Sequence, residues 1–123
     1  MVVVNNKRDL ARVLLALIRL ANGSAALLVP GFLARQVGVD PDANPGVVYV
    51  FRMFGIRTVL IGAELLIQTG DRRAEALRRA LLIHASDTLA AFLASLSPNF
   101  PKKGRVIVWI SAANTVLAFI ASR

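Results

Sequence analysis

The chain of 123 residues contains no cysteine, one histidine and only seven acidic residues. Without cysteine it forms neither disulfides nor thiolate metal sites. The sequence also lacks a glycine-rich phosphate loop, a nucleophile elbow and a zinc-binding helix signature. These absences argue against a P-loop nucleotide-binding protein, an α/β-hydrolase and a zinc metalloprotease. We expect neither a metal nor a cofactor.

The shortage of acids leaves a net charge of +8. A basic excess of this size is typical of proteins that meet nucleic acid or anionic lipid, and of membrane proteins whose topology it controls. The arginines are scattered between apolar runs, and no RNA-stacking motif is present. We therefore expect no nucleic-acid partner and expect the basic residues to flank membrane spans.

Four apolar segments dominate the chain, which is 56% hydrophobic. They cover about residues 10–29, 47–68, 77–96 and 106–121, each close to the ~20 residues that cross a bilayer as a helix. Linkers rich in proline, glycine and basic residues separate them. The pattern predicts an all-α fold in one integral membrane domain over residues 1–123, a four-helix transmembrane bundle with short loops.

A soluble helical bundle is the alternative to this fold. A helix in such a bundle has one polar face, whereas the stretches VLIGAELLIQ and VIVWISAANTVLAFIA are apolar nearly all round. Arg12 and Arg19 interrupt the first apolar segment, and no cleavage site follows it. The first segment is therefore predicted to be a retained span and not a signal peptide.

Basic residues outside the spans predict the orientation. The side with the N-terminus, the second loop and the C-terminus carries seven, and the other side carries four. The positive-inside rule then places both termini of a multi-pass cell-membrane protein in the cytoplasm. The two sets are Lys7, Arg8, Arg72, Arg73, Arg78, Arg79 and Arg123 on the first side, and Arg35, Lys102, Lys103 and Arg105 on the second.

The third and fourth segments resemble each other. HASDTLAAFLAS, from His84 to Ser95, and SAANTVLAFIAS, from Ser111 to Ser122, agree at six positions, and Asp87 aligns with Asn114. Each stretch has one face of small and polar residues, which suits close helix packing. The two faces are predicted to point inward at each other. An inverted repeat between helices 3 and 4 is one explanation, and the general likeness of alanine-rich membrane helices is the other.

Ionisable residues inside the spans are the main functional signal, because charge is costly in hydrocarbon. We predict one polar core in which Arg57, Glu64, His84 and Asp87 carry acid/base chemistry on a hydrophobic or lipid-like small molecule, such as isomerisation, cyclisation or epoxide opening. The residues predicted to line its ligand site are Arg19, Asn22, Ser111, Asn114 and Tyr49, although an interfacial aromatic belt is the favoured place for Tyr49.

The same residues have a second interpretation. Polar groups inside membranes also hold helices together, and the chain would then be a homo-oligomer or a non-enzymatic subunit docked on a larger membrane complex. A third interpretation is that these residues conduct protons or ions. A pocket requires the four ionisable groups around one cavity. A docking subunit requires them in pairs, with an exposed packing face of Gly55, Thr58 and Gly62.

The stretch from Met53 to Glu64 reads Phe-Gly-x-Arg followed by Gly-x-Glu. Together with Asp87, it resembles small four-span membrane proteins of actinobacteria. The resemblance rests on Gly55, Arg57, Gly62, Glu64 and Asp87. It implies a four-span fold in a membrane, and it carries no assigned activity, so no mechanism follows from it.

Overall fold

The protein is an all-α molecule, as predicted. The computed structural model describes residues 4–123, of which none forms a strand, and 82% of the chain is helical. A 3-10 turn at Lys102–Arg105 precedes the last helix. The five helices are α1 (Lys7–Leu28), α2 (Pro30–Gln36), α3 (Gly46–Ile67), α4 (Gly70–Ser95) and α5 (Val106–Ser122).

The four long helices agree closely with the four apolar segments, with one difference. α4 begins at Gly70, seven residues before the third apolar segment, because the basic stretch after the turn is itself helical. Only two residues, Gln68 and Thr69, separate α3 from α4. Gly70 has a φ of 57°, a left-handed conformation that favours glycine and lets the chain reverse sharply.

α1 is the central helix of the bundle. It packs against α3 on one side and α5 on the other, and α4 packs on α5. α3 and α4 contact each other only sparsely, although they are adjacent in sequence. The core contains mostly small residues, which allow the helices to approach closely. Its buried members are Ala11, Leu15, Ala16, Leu65, Ala76, Leu77, Ala80, Ala118 and Ala121.

Backbone-to-backbone contact joins α1 to α3. A Cβ atom added to Gly55 would lie 2.7 Å from the carbonyl oxygen of Gly23, and one added to Gly62 would lie 2.9 Å from that of Ala16. Thr58, between the two glycines, is also buried. The face of Gly55, Thr58 and Gly62 is therefore a packing face, as predicted, but α1 covers it. The exposed glycine face that a docking subunit requires is not observed.

Within residues 4–123, two helices are long and apolar enough to cross a membrane, namely α1 and the last helix with its preceding turn, Lys102–Ser122. By itself this is weak support for a membrane location, because the core helix of a soluble protein meets the same criterion. Large apolar side chains are nevertheless exposed on all four long helices. Examples are Leu17, Leu60, Leu82, Leu89, Trp109 and Val116.

Candidate functional site

Each long helix carries a polar side chain near its middle. Arg19 lies near the middle of α1, Arg57 of α3, His84 and Asp87 of α4, and Asn114 of α5. We call these five residues the polar layer. They are brought to one level because the four helices run alternately up and down with short connections. Glu64, predicted to share this core, is not part of it.

Arg57 and Asp87 form an ion pair between α3 and α4. Nη2 of Arg57 lies 3.1 Å from Oδ2 and 3.4 Å from Oδ1 of Asp87. The Arg57 guanidinium also lies over the ring of Phe54, 5.6 Å from its centre. The two charged side chains are 48% and 28% exposed. The pair therefore lies in the α3–α4 seam, the sparsely packed groove between these two helices.

Arg19 and His84 occupy the interior side of the polar layer. Arg19 is 3% exposed and His84 is 1% exposed, and neither Nε of Arg19 nor Nε2 of His84 has a hydrogen-bond partner. No carboxylate among residues 4–123 lies within ion-pair distance of Arg19. The charges of Arg19, Asp87 and Arg57 all act on His84. The layer thus holds two guanidinium groups and one carboxylate, and Arg19 has no acidic partner.

Glu64 lies nearer the end of α3 and pairs with a different arginine. Nη2 of Arg79 in α4 is 3.3 Å from Oε1 of Glu64, and Nη1 of the same arginine is 3.2 Å from Oε1 of Glu75. Glu64 is predicted to share one polar core with Arg57, whereas the structure places it in a separate ion pair. Seven residues separate them along α3, about 10 Å of helix, and α4 offers each of them a closer partner.

Replacement of Glu64 by glutamine is expected to have a small effect on stability. Both Glu64 and Arg79 are nearly half exposed, and an ion pair between exposed side chains contributes about 1 kcal/mol or less. Arg79 would also keep Glu75 as a partner. Thermal unfolding of Glu64→Gln and wild type in the same detergent measures the difference. A large loss would show that Glu64 has a structural role that this geometry does not reveal.

The similar stretches of α4 and α5 meet through equivalent residues. Oγ1 of Thr88 and Oγ1 of Thr115 are 3.0 Å apart, and Asn114 is buried beside them at 2% exposure. Each threonine Oγ1 also lies within 2.8 Å of the carbonyl oxygen four residues earlier, that of His84 or of Ser111. A hydroxyl has one hydrogen, so the threonine that donates to the other hydroxyl does not donate to its own carbonyl. The prediction that the two polar faces point at each other is confirmed at this contact.

Of the predicted ligand-binding residues, Tyr49 lies away from the polar layer, whereas Asn22 lies one turn from Arg19. Tyr49 is 69% exposed near the start of α3, as an aromatic belt would place it. Asn22 is half-buried in α1, three residues after Arg19, and its side chain makes no hydrogen bond within the described part of the chain. Ser111 contributes to the contact between α4 and α5 through its backbone carbonyl oxygen, which lies 2.8 Å from Oγ1 of Thr115.

Sequence reasoning missed the role of Arg12. This side chain is 4% exposed, and its Nη1 donates to the carbonyl oxygen of Leu65 over 2.7 Å. Leu65 lies in the last turn of α3, where carbonyl groups lack partners within the helix. The spacing held a usable signal, because Arg12 lies on the same face of α1 as Leu15, Arg19 and Gly23, all of which are buried.

Within residues 4–123, no group of three or more histidine or acidic side chains is placed to hold a metal ion. Comparison with family models, curated proteins and solved structures found no match to this chain.

Proposed function

We propose that the chain is a four-span membrane protein whose polar layer binds the acidic group of a lipid-like molecule. One observation carries this proposal: Arg19 is buried near the middle of α1, and no carboxylate among residues 4–123 lies within ion-pair distance of it. A buried charge without a counter-charge costs several kcal/mol. A ligand carboxylate or phosphate beside Arg19 and Arg57 would bring the layer to two positive and two negative charges.

Exposed apolar side chains support the membrane part of the proposal. They occur on all four long helices, and α1 and α3, at 22 residues each, are about 33 Å long, enough to cross the hydrocarbon core. The polar layer would then lie near the middle of the bilayer. Charged residues at that depth are expensive and usually belong to a functional site. The basic N-terminus, the α3–α4 turn and the C-terminus would face the cytoplasm.

The α3–α4 seam supports lateral entry of such a ligand. α3 and α4 contact each other sparsely, and the Arg57–Asp87 pair is partly exposed between them. An acidic group entering from the bilayer would meet Arg57 first and then Arg19, while its apolar tail stayed in the lipid, beside exposed apolar side chains such as Leu60. In the catalytic form of the proposal, Asp87 removes a proton from one position of the bound molecule, His84 relays it, and it returns at another position. The net reaction is an isomerisation, and the two arginines hold the anion.

A second candidate is a non-enzymatic subunit of a membrane complex or homo-oligomer. The observation in its favour is that Glu64 and Asp87 each pair with an arginine of the neighbouring helix. In this candidate, an acidic side chain of a partner's helix supplies the charge that Arg19 lacks. It predicts a stable complex on purification in mild detergent, which the ligand proposal does not require.

Fatty-acid binding by Arg19→Gln tests the ligand proposal. Oleate and its uncharged analogue oleyl alcohol are titrated into the purified protein in maltoside micelles. Wild type is expected to bind oleate about tenfold or more tightly than the alcohol, because a charge-assisted hydrogen bond contributes about 1.5–3 kcal/mol. Arg19→Gln should lose this preference.

Arg52→Gln is the matched control, since it removes an arginine from α3 whose side chain is exposed and outside the polar layer. It should keep the preference for oleate. Equal affinity of wild type for the acid and the alcohol would contradict the proposal, and so would an equal loss in both variants.

A further inference from the structure

A second polar cavity lies at one end of the bundle, apart from the polar layer. It has a volume of about 250 Å³ and is formed by the start of α1, the start of α4 and the end of α5. Arg8, Arg12, Arg73 and Arg123 line it, and we call it the basic cavity. Its innermost arginine, Arg12, is seven residues from Arg19, about 10 Å along α1.

The charge of this cavity is strongly one-sided. Asp9 is the one acidic side chain among its lining residues, and it already lies 3.6 Å from Nη2 of Arg12. Arg73 directs its Nε to the carbonyl of Gln68 over 2.9 Å, which holds it at the α3–α4 turn. Arg8 and Arg123 are exposed at the rim. Four arginines therefore line a space with one acidic side chain, although the guanidinium of Arg123 itself lies over the ring of Phe119, 5.3 Å from its centre.

The backbone adds to this positive field. α1 and α4, of 22 and 26 residues, both begin at the cavity, and helix N-termini attract anions. At α1, Asn6 caps the helix by accepting from the backbone N–H of Asp9. At α4, Thr69 makes no side-chain hydrogen bond to the helix, and Gly70 lines the cavity. The first N–H groups of α4 are thus free of a side-chain cap.

Arg12 supplies independent support for a bound anion. It is more than nine-tenths buried in the cavity wall, and within residues 4–123 its Nε, which has almost no accessible surface, has no hydrogen-bond partner, so Nη2 is the donor that an anion could reach. Its Nη1 is satisfied by Leu65, but its contact with Asp9 is a long one of 3.6 Å. A buried guanidinium that keeps an unused donor has part of its desolvation cost uncompensated.

We infer that the basic cavity binds a phosphate group. Arginine favours phosphate because its planar donor fork matches two phosphate oxygens at once. A phosphate monoester carries nearly two negative charges and three acceptor oxygens, so one such group can contact several of these arginines. The phosphate would come from the headgroup of an anionic phospholipid or from a soluble phosphate compound. The inference does not depend on the ligand proposed for the polar layer.

Binding of three probes to the full chain in maltoside micelles tests this inference. Titration calorimetry is used with inorganic phosphate, with short-chain phosphatidic acid, and with short-chain diacylglycerol as the phosphate-free control. We expect wild type to bind phosphatidic acid and not diacylglycerol. Binding of inorganic phosphate as well would indicate a soluble ligand, whereas binding of phosphatidic acid alone would indicate a lipid headgroup. Absence of binding to both phosphate probes would overturn the inference.

Two double variants test whether phosphate affinity depends on the cavity arginines in particular or on the positive charge of the protein surface in general. Arg8→Gln with Arg123→Gln removes two rim arginines, and we expect affinity to fall about tenfold or more. Arg72→Gln with Arg78→Gln removes two exposed arginines of α4 that do not line the cavity, and it should change affinity less than about twofold. Equal losses in the two double variants would overturn the inference. Thermal unfolding checks that each variant is folded, and Arg8→Gln alone repeats the test with a single exposed side chain.

Discussion

Arg19→Met is expected to stabilise the ligand-free protein. The substitution replaces a buried guanidinium that lacks an acidic partner with an apolar side chain of similar length. Replacement of buried charged groups by well-packed apolar residues often increases the free energy of unfolding, by about 1–4 kcal/mol. The measurement is reversible unfolding of the purified protein in mixed micelles, at a single detergent composition. Such a gain would come with the loss of oleate preference, as is common where binding requires a destabilised site.

Arg12→Met is the matched control for Arg19→Met. It removes the same side chain from the same face of α1, and Arg12 is equally buried. Its guanidinium, however, donates to the carbonyl oxygen of Leu65, and a hydrogen bond from a charged group contributes about 1.5–3 kcal/mol. We therefore expect Arg12→Met to destabilise the protein. Destabilisation by both substitutions to the same extent would show that Arg19 already has a partner, which would contradict the proposed ligand site.

Gly55→Ala is expected to weaken the contact between α1 and α3. The new methyl group would lie 2.7 Å from both the carbonyl oxygen of Gly23 and the backbone nitrogen of Leu27. Neither atom belongs to a flexible side chain, so the helices would have to move apart. Overpacking of this kind costs about 1–3 kcal/mol, more than the ~0.5–1 kcal/mol that alanine gains over glycine inside a helix.

Gly46→Ala is the control for this substitution. Gly46 is the first residue of α3, and an added Cβ would meet no atom within 4 Å. The free energy of unfolding of the Gly46→Ala variant should stay the same or rise slightly, because alanine restricts the unfolded chain more than glycine does. The same unfolding assay compares the two variants. If Gly55→Ala were as stable as Gly46→Ala, the helices would be further apart than the structure places them.

The two buried arginines of α1 show how far the sequence could be used to predict the site. Arg12 and Arg19 are seven residues apart on one apolar helix, and their local sequences give no reason to treat them differently. Arg12 reaches the end of α3, where the carbonyl oxygen of Leu65 has no partner within the helix and accepts its hydrogen bond. Arg19 instead lies at the level of Asp87, Arg57 and His84, near enough for these charges to interact, but outside ion-pair distance of every carboxylate among residues 4–123. The difference depends on which groups of other helices lie at each level of α1.

The pairing of charges between α3 and α4 has the same origin. Arg57 and Glu64 share one face of α3, so the sequence suggested that they belong to one polar core. The offset of α4 along α3 instead places Asp87 beside Arg57 and Arg79 beside Glu64. This offset depends on the turn at Gly70 and on the helical start of α4. Hydropathy located α4 only from residue 77 onward, but the stretch TGDRRAEALRR reads as a turn followed by the basic start of a helix. What the sequence did not predict is how far α4 is displaced along α3.

The sequence alone determined the helical class, the approximate positions of the four long helices, the packing face of Gly55, Thr58 and Gly62, and the inward polar faces of α4 and α5. These properties follow from periodicity and composition within single helices, which are local. Tertiary structure decided which charged groups are paired, that Arg19 is left without an acidic partner, and that four arginines surround one cavity. Those properties depend on the relative height and rotation of helices, and close contacts such as Gly23 with Gly55 set these only when the helices pack.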